Sequence, residues 1–386
     1  MNTYDVIIIG AGAAGLSAAR GALLRGKSVA ILEMGNKPGR KIMVSGGGRC
    51  NITNAAVSYN RYFGANPNFV RGALSRWTPQ DVLDWAQSHN LEIIEKNPGQ
   101  YFCADGAMAV LNALVQDVHG ADIFYNTYIT QVNKQNNLFY INVNKDVFCA
   151  KSVVVATGGI SFESLGVSDI GYKIAQDFGH TVVPVRPALC ALDMELFPSD
   201  LAGISLNASV IIDNKHCVTD SVLITHVGIG GPGAYRASIY DITYGIQINL
   251  VPNVDLAKKL YEYKRTNGRR TLKSVLDDYL PNRIAKWIVG DETRNIADIK
   301  DAELMSVADK VQKIYIPKTK IKYHSMASAE IVRGGVDTRE ISSKTMESVL
   351  CPGLFWVGEV MDVAGDLGGF NLHWAWASGH VAGQNV

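Results

Sequence analysis

A glycine turn at residues 10–15, reading Gly-Ala-Gly-Ala-Ala-Gly, constrains this chain more than any other feature. The apolar run 4–9 before it is rich in isoleucine, which is typical of a buried parallel strand. The run 16–24 after it predicts an alanine-rich helix, and residues 27–32 predict a second strand that ends at Glu33. This order of strand, turn, helix, strand and acid predicts a dinucleotide-binding unit.

Each part of this unit has a physical role. Gly10 allows the tight turn, Gly12 lets the backbone approach a pyrophosphate, and Gly15 lets helix and strand pack closely. The helix N-terminus then offers free N–H groups and a positive dipole end to the phosphates. Glu33 is placed to accept hydrogen bonds from the adenosine ribose, and it would repel the 2′-phosphate of NADP. The predicted contacts are Gly10, Gly12, Ala13, Ala14, Gly15, Glu33 and Met34.

A second glycine-rich and basic segment follows at residues 39–54. Its three consecutive glycines suit a backbone that touches a flat or anionic ligand, and its cations add positive charge near the pyrophosphate. The alternative is a flexible surface loop. The predicted ligand contacts are Gly39, Arg40, Lys41, Ser45, Gly46, Gly47, Arg49, Cys50 and Asn51.

Two later blocks predict a flavin as the rest of the dinucleotide. A buried strand at 152–155 runs into small residues, and a strand near the C-terminus ends at an acid before a glycine-opened helix over 372–383. An acid there can hold ribityl hydroxyls, and the helix N-terminus can face the N1–C2=O edge of the flavin ring. The alternative is an ordinary closing β-α unit. The predicted contacts are Ala156, Thr157, Gly158, Gly159, Gly358, Glu359, Asp362, Gly368, Gly369, Phe370, Asn371 and Leu372.

The middle of the chain has a different pattern. Short strands separated by turns are predicted from about 188 to 251, and a mostly helical stretch from 254 to 311 precedes a strand at 314–316. Lys264, Arg265, Arg269 and Arg270 form a basic cluster within the helical stretch. Such a cluster predicts either a solvated helix end or a phosphate-binding patch.

A second stretch, Gly-Ile-Gly-Gly-Pro-Gly at 228–233, has the same glycine spacing as the first turn. The segment before the next strand is too short for a crossover helix with its turns, no acid ends that next strand, and Pro232 lacks an N–H. We therefore predict a turn that lines a cleft and no second nucleotide site.

Composition limits the number of domains and the classes of partner and site that this chain can have. The chain has 386 residues, 47% of them hydrophobic, and a net charge of +1, so it can bury two or three domains and has no global attraction to nucleic acid. The six cysteines lack paired spacing, which disfavours disulfides, a metal site and a redox-active dithiol. No run is long and apolar enough to cross a membrane, and a cytoplasmic location without a membrane partner is expected.

The segments 10–15, 39–54, 156–159, 225–232 and 353–379 together resemble the BaiN/RdsA-type FAD-dependent oxidoreductases, and the match extends over nearly the whole chain. The resemblance implies an α/β fold with a Rossmann-like FAD-binding domain split between the N- and C-terminal parts, 1–187 and 324–386. It also implies an inserted β-barrel domain, 188–253 with 313–323, and a helical subdomain, 254–312. The segment 161–171 departs from the family pattern, and we expect it to lie beside the flavin ring.

Members of that family reduce carbon–carbon double bonds, including uridine in ribosomal RNA and steroid intermediates, and one branch resembles amine oxidases. A reductase is therefore expected, with NAD(P)H as a transient reductant. Cys50 is the first candidate for the proton donor, although a packing role is equally consistent with its position. His226 and His373 are further candidates.

Three functions remain open at this level. A reductase would act on a small molecule or on RNA held by Lys264, Arg265, Arg269 and Arg270. An FAD-dependent amine oxidase would release hydrogen peroxide without needing NAD(P)H. A flavin-binding redox sensor would change a protein interaction without turnover.

Overall fold

The computed structural model describes residues 2–144 and 146–386 and divides the chain into two units. The first unit combines the chain up to residue 187 with residues 326–386, and the second unit is residues 188–325. Each unit has its own apolar core. We call them the N/C unit and the inserted unit.

The strands of the described residues, in chain order, are β1 (Asn2–Ile9), β2 (Val29–Leu32), β3 (Asn51–Asn54), β4 (Tyr62–Phe63), β5 (Ile93–Asn97), β6 (Gln100–Cys103), β7 (Asp122–Phe124), β8 (Ile129–Gln135), β9 (Leu138–Val143), β10 (Asp146–Val155), β11 (Val182–Ala188), β12 (Leu192–Asp193), β13 (Ser205–Ile212), β14 (His216–Ile224), β15 (Gly228–Gly230), β16 (Gly245–Asn249), β17 (Ile314–Pro317), β18 (Lys322–Tyr323), β19 (Ile331–Val336), β20 (Leu354–Trp356) and β21 (Ala364–Gly365).

The α-helices are α1 (Ala13–Leu24), α2 (Arg40–Val44), α3 (Arg71–Arg76), α4 (Pro79–Ser88), α5 (Ala107–Asp117), α6 (Ile170–Asp177), α7 (Gly231–Ser238), α8 (Leu256–Thr266), α9 (Leu272–Leu276), α10 (Asn282–Val289), α11 (Asp301–Gln312) and α12 (Phe370–Gly383). None of these helices is long and apolar enough to span a bilayer.

The main sheet of the N/C unit is the predicted Rossmann-like sheet. Its strands lie in the order β7-β2-β1-β10-β9-β8, with β20 also pairing with β10. The pairs β7–β2, β2–β1, β1–β10 and β10–β20 are parallel, whereas β9 is antiparallel to β10. Apolar side chains cover the central strands on both faces, so Ile7 and Ile8 are both fully buried. The buried strand that the sequence predicted at 152–155 is the end of the longer strand β10.

Helix α12 brings the C-terminal part of the chain against α1. The two helices approach through small residues: a Cβ added at Gly379 would lie 2.3 Å from the Ala14 carbonyl oxygen, and one at Gly383 would lie 2.5 Å from that of Ala18. Helices can approach this closely only where side chains are absent at the contact. The first glycine turn is therefore supported by a helix more than 350 residues away in sequence.

The inserted unit corrects one part of the predicted fold. Its seven strands lie in the order β17-β16-β13-β14-β15-β12-β18, and among the described residues β17 and β18 pair with no strand beyond this order. The sheet is therefore open and is not closed into the β-barrel that the resemblance implied. Only residues 318–321 connect β17 to β18, so the two edges approach each other at that end. The sheet curls without the hydrogen bonds that would close it.

The glycine turn at 228–233 also differs from its prediction in part. A helix does follow β15: Pro232 stands in its first turn, where a missing N–H costs nothing, and α7 extends to Ser238. However, β15 is antiparallel to both of its neighbours, β14 and β12. The segment is thus no parallel β-α-β unit, because that unit requires parallel strands.

Candidate functional site

Four parallel strands of the N/C unit end in one row. Ile9 is in register with Leu32 on one side and Val155 on the other, and Val155 is in register with Trp356. The next residues along each strand therefore meet at the carboxyl edge of the sheet. This edge is where open α/β sheets bind ligands, and it gathers the predicted segments 10–15, 33–34, 156–159 and 358–359.

The first glycine turn has the geometry that a pyrophosphate requires. Gly10 has φ of 107°, and a Cβ there would lie 2.6 Å from the Ala156 carbonyl oxygen. A Cβ on Gly15 would lie 2.0 Å from the Gly10 carbonyl oxygen, so both positions require glycine. In contrast, a Cβ on Gly12 would meet nothing within 4 Å. Gly12 is also the N-cap of α1, so no side chain of the cap residue covers the N-terminal N–H groups of the helix.

Glu33 organises the turn from the end of β2. Its carboxylate accepts hydrogen bonds from the backbone N–H of Ala11 at 2.8 Å and of Gly35 at 2.7 Å. The Arg40 guanidinium lies 3.4 Å from the same carboxylate. A carboxylate has about four acceptor sites, so Glu33 retains capacity for a ribose hydroxyl while it fixes the loop around it.

The glycine-rich loop adopts a backbone that requires its sequence. Gly46, Gly47 and Gly48 have φ of 56°, 66° and 83°, a conformation that side chains with a Cβ disfavour. Gly47 faces open space, and Arg49 is exposed. The loop thus presents backbone and one cation to solvent, as a ligand-contacting segment would.

Lys41 lies at the centre of a polar cluster at the carboxyl edge. Its ammonium donates to Glu359 at 2.6 Å and to the Ser161 hydroxyl at 2.7 Å. Glu359 also accepts from the backbone N–H of Val332 at 3.0 Å. The lysine side chain is 36% exposed and the glutamate 18%. An ammonium has three N–H groups, so one remains for a ligand. We call Lys41, Ser161, Glu330, Glu359 and Tyr172 the edge cluster.

Two members of the edge cluster were not predicted from sequence. Burial raises the pKa of Glu330, and the positive charge of Lys41 opposes part of that rise. Burial also raises the pKa of Tyr172, with the negative charge of Glu359 adding to the effect, and its hydroxyl has no hydrogen-bond partner within the described residues. The one available signal was the atypical segment 161–171, which contains Ser161 and leads into the helix that carries Tyr172.

Some predicted flavin contacts have structural partners instead. Asp362 is 2% exposed, and its two carboxylate oxygens accept from the backbone N–H groups of Ala65 at 2.7 Å and Gly334 at 3.1 Å. Asn371 bonds both backbone groups of Gly365, and Phe370 is fully buried. These side chains hold the chain around the α12 N-terminus, which is left to contact a ligand through its backbone.

The three predicted proton donors have different environments. Cys50 is fully buried, and burial raises the pKa of its thiol to about 12. His373 is also fully buried: its Nδ1 lies 2.8 Å from the Thr53 hydroxyl, and its Nε2 donates to the Trp77 carbonyl at 3.0 Å. Burial lowers the pKa of His373 to about 4, so the ring is neutral at pH 7. His226 is exposed on the inserted unit.

The predicted basic cluster is half neutralised. Lys264 donates to Asp301 and to the Ile299 carbonyl, both at 2.6 Å, and Arg270 pairs with Asp278 at 2.6 Å. Arg265 and Arg269 are exposed and have no ion pair in the part of the chain that the structure describes. Two of the four predicted cations are therefore available to a partner.

The residues present fit FAD. The open space at Gly12, the uncapped N-terminus of α1, the acid at the end of β2 and the uncapped N-terminus of α12 supply the features that pyrophosphate, ribose and flavin ring require. Within the described residues, no group of three or more His, Cys, Asp or Glu side chains is arranged to hold a metal ion.

Comparison with known proteins agrees with this geometry. The family model described as "HI0933-like protein Rossmann domain" matches residues 4–385. The ribosomal RNA dihydrouridine synthase of Escherichia coli (strain K12) is 35% identical, with 100% of this chain and 98% of the relative covered. The enzyme of the same name from Haemophilus influenzae is 37% identical, with coverage of 100% and 99%.

A more distant relative and a solved structure complete the comparison. The 3-dehydro-bile acid delta(4,6)-reductase of Clostridium scindens is 29% identical, with 98% of this chain and 97% of the relative covered. The solved structure of 3-ketosteroid delta1-dehydrogenase from Sterolibacterium denitrificans has a TM-score of 0.50 at 12% identity and 99% coverage of both chains. This last likeness concerns the fold alone.

Proposed function

This chain belongs to the HI0933-like family and is an FAD-dependent oxidoreductase, and we propose that it reduces the C5–C6 double bond of a uridine in ribosomal RNA. The net reaction is uridine + NAD(P)H + H⁺ → dihydrouridine + NAD(P)⁺. The observation that supports uridine as substrate is the end-to-end match to two ribosomal RNA dihydrouridine synthases. The bile acid reductase supports a small unsaturated molecule as the second candidate.

The N/C unit binds the cofactor in this proposal. The N–H groups at Gly12 and the α1 N-terminus bind its pyrophosphate, Glu33 binds the ribose, and the loop around Gly47 contacts the ring. Glu359, the acid at the strand end, takes the ribityl role. Asp362, also predicted as a flavin contact, has a structural role here because it is buried and bound to backbone N–H groups. When bound, FAD would supply the hydride chemistry that links NAD(P)H to the substrate.

The remaining proton comes from the edge cluster. A proton donor must contact the carbon that it protonates, and it transfers best when its pKa lies near the operating pH. Cys50 meets neither condition, since it is fully buried with its pKa raised to about 12. Glu330 is partly exposed, and burial raises its pKa above the ordinary value of a glutamate, an effect that Lys41 opposes in part. We assign Glu330 to hold the proton at its carboxyl group, and Cys50 to packing.

The edge cluster also supplies a positive charge for the substrate. The Lys41 ammonium is fixed by Glu359 and Ser161, which places one positive charge where a uracil carbonyl can accept its third N–H. That hydrogen bond would withdraw electrons from the double bond and favour hydride addition.

The first test measures the product. The FAD-loaded protein is incubated without oxygen with unmodified ribosomal RNA transcribed in vitro and NADH or NADPH, and nucleosides are analysed by mass spectrometry. Dihydrouridine formed in equal amount to NAD(P)⁺ supports the proposal. Reduction of an unsaturated steroid but not of RNA would move the chain to the second candidate. Hydrogen peroxide release with a small amine would indicate the oxidase, and a redox-dependent interaction without turnover would indicate the sensor.

Replacement of Glu330 tests the proton donor. We expect Glu330→Gln to lower dihydrouridine formation roughly a hundredfold, within the range that general acids contribute, while FAD remains bound. Activity of the unchanged protein should fall as the pH rises past the raised pKa of Glu330. The matched variant Cys50→Ala should retain turnover within about threefold. The reverse pattern would restore Cys50 as the donor.

A further inference from the structure

The inserted unit has an open groove that the proposed reaction does not use. Its volume is about 830 Å³, which lies within the usual range for ligand sites, ~300–1,000 Å³. The apolar lining comes from Leu196, Trp287, Ile288, Met305 and Ile314. Trp287 packs on Phe197 with 5.4 Å between ring centroids, so its ring is held in place. Met305 is 43% exposed.

A lysine-rich segment begins at the rim of this groove. Residues 310–322 contain five lysines and no acidic residue. Lys310 and Lys313 line the groove, and the segment continues through β17 to β18. Because β17 and β18 are the two edges of the curled sheet, the lysines extend from the groove to the place where those edges approach each other. We call residues 310–322 the lysine segment.

Most charges of the lysine segment are not neutralised. Lys313 pairs with Asp309 at 2.8 Å, and Lys318 lies over the Tyr323 ring at 4.9 Å. Lys310, Lys320 and Lys322 are exposed and form no ion pair with any described residue. This contrasts with the basic cluster at 264–270, where Lys264 and Arg270 already bind acids.

An aromatic platform beside free cations is the combination that binds single-stranded nucleic acid, because bases stack on rings while phosphates contact cations. We propose that the groove and the lysine segment bind a single-stranded stretch of RNA, with phosphates on Lys310, Lys320 and Lys322 and one base against Trp287. This inference rests on the proposed function for the choice of RNA. With a net charge of only +1, affinity for RNA depends on such a local surface.

The competing explanation is that these lysines only protect a sheet edge. Lysines on edge strands prevent pairing with other molecules, and β17 is an edge strand with Tyr315 58% exposed. Protection of the edge requires no affinity for phosphate. The two explanations therefore differ in the salt dependence of RNA binding.

The test compares two sets of exposed cations in the full-length, FAD-loaded protein. The probe is a fluorescein-labelled single-stranded oligouridylate, and its affinity is measured by anisotropy over a range of salt concentrations. We expect the triple variant Lys310→Ala/Lys320→Ala/Lys322→Ala to bind at least tenfold more weakly at ~0.1 M salt. The slope of log affinity against log salt concentration should decrease in magnitude by about 2, because each phosphate contact on a single strand contributes ~0.7. The control Arg265→Ala/Arg269→Ala should leave affinity and slope unchanged.

Trp287 tests the base in the groove. Stacking contributes about 1–3 kcal/mol per base, so Trp287→Leu should weaken binding roughly tenfold without changing the salt slope. Trp287→Phe retains an aromatic face and should restore most of the affinity. An equal loss of RNA affinity in Trp287→Leu and Trp287→Phe would overturn the stacking role.

The outcomes separate this inference from the proposed function. If the triple variant keeps its affinity and salt slope while the unchanged protein makes dihydrouridine, the RNA surface is wrong and the function stands. If the control loses binding instead, the surface belongs to the 264–270 cluster. Aggregation of the triple variant with unaltered RNA binding would indicate that these lysines only protect the sheet edge. If the surface binds RNA as expected but no dihydrouridine forms, the surface stands and the proposed function fails.

Discussion

The glycine turns at residues 10–15 and 228–233 have the same spacing and are each followed by a helix, yet the space around their glycines differs. A Cβ on Gly12 would meet nothing within 4 Å. In the second turn a Cβ on Gly233 would lie 2.6 Å from a methyl group of Val222, and one on Gly231 would lie 3.1 Å from the Ser221 carbonyl oxygen. The middle glycine of the first turn leaves space for a ligand, whereas Gly231 and Gly233 of the second turn pack against their own sheet, as Gly15 packs in the first turn.

Strand direction explains this difference. β1 is central in a parallel sheet, so its carboxyl end adjoins those of β2 and β10, and the chain must leave the edge through an open turn. β15 is antiparallel to β14, so Gly230 is in register with Leu223 and the helix after it folds back on that hairpin. Both turns thus use their last glycine for close packing, and only the first leaves its middle glycine facing open space.

The largest expected effect comes from Gly12→Ala. Gly12 has φ of −82° and ψ of −173°, which alanine adopts without strain, so the free energy of unfolding without FAD should change by less than about 0.5 kcal/mol. The new methyl group would occupy the space assigned to the pyrophosphate. Loss of two charge-assisted hydrogen bonds costs about 4 kcal/mol, which corresponds to a roughly thousandfold weaker FAD affinity. Titration of the apoprotein with FAD measures it.

Gly230→Ala in the second turn is the matched control. Its Cβ would have an ordinary 3.4 Å contact with Thr225, and its φ is −131°. We expect unchanged FAD affinity. Equal losses of FAD affinity in the two variants would mean that the open space at Gly12 does not explain FAD binding.

The sequence was sufficient to predict the first turn because its determinants are local. Strand, turn, helix and acid follow one another within residues 4–33, and the parallel sheet, the helix after the turn and the split FAD-binding fold were confirmed. The C-terminal block was recognised for the same reason: its strand, acid and paired glycines are contiguous.

Long-range contacts could not be predicted in the same way. Whether Asp362 faces a ligand depends on the N–H groups of Ala65 and Gly334, which are distant in sequence. The acids that neutralise Lys264 and Arg270 lie 37 and 8 residues away. The lysine segment was overlooked because its five lysines are dispersed among apolar residues, and the strand pairing that makes β17 and β18 sheet edges is not visible in the sequence. The barrel was implied by the family resemblance, and local strand patterns could not correct it because they do not determine which edges pair.

The next largest effect is expected at His373 in α12, the helix that packs against α1 after the first turn. Burial lowers the pKa of His373 to about 4, from an ordinary value of 6.5. At pH values above 6.5 the ring is neutral in the folded and unfolded states. Below 6.5 the unfolded state binds a proton that the folded state binds only near pH 4, so stability falls over this interval. The loss is about 3 kcal/mol.

A difference measurement isolates His373 from the other titrating groups. Urea unfolding of the unchanged protein and of His373→Gln is compared at pH 7 and at pH 4. The difference in free energy of unfolding between the unchanged protein and His373→Gln should shift by about 3 kcal/mol against histidine at pH 4. At that pH the unchanged protein should also release flavin at a lower urea concentration, relative to the variant, than it does at pH 7. The exposed His226, changed to Gln, should show no such shift. A pH-independent difference would mean that His373 is charged when folded and that α12 tolerates that charge.

The smallest effect is expected at Gly233, the packed glycine of the second turn. A methyl group there would overlap Val222, a buried and β-branched residue that cannot move aside, and would approach the backbone of Ser221 at 3.2 Å. Overpacking of this kind costs about 1–3 kcal/mol, and the higher helix propensity of alanine offsets up to about 1 kcal/mol. Gly233→Ala should therefore destabilise the inserted unit by about 1–2 kcal/mol while FAD affinity stays the same. Gly12→Ala should lower FAD affinity and leave stability unchanged. Only this reciprocal pattern, measured by urea unfolding and FAD titration on both variants, assigns ligand approach to Gly12 and packing to Gly233.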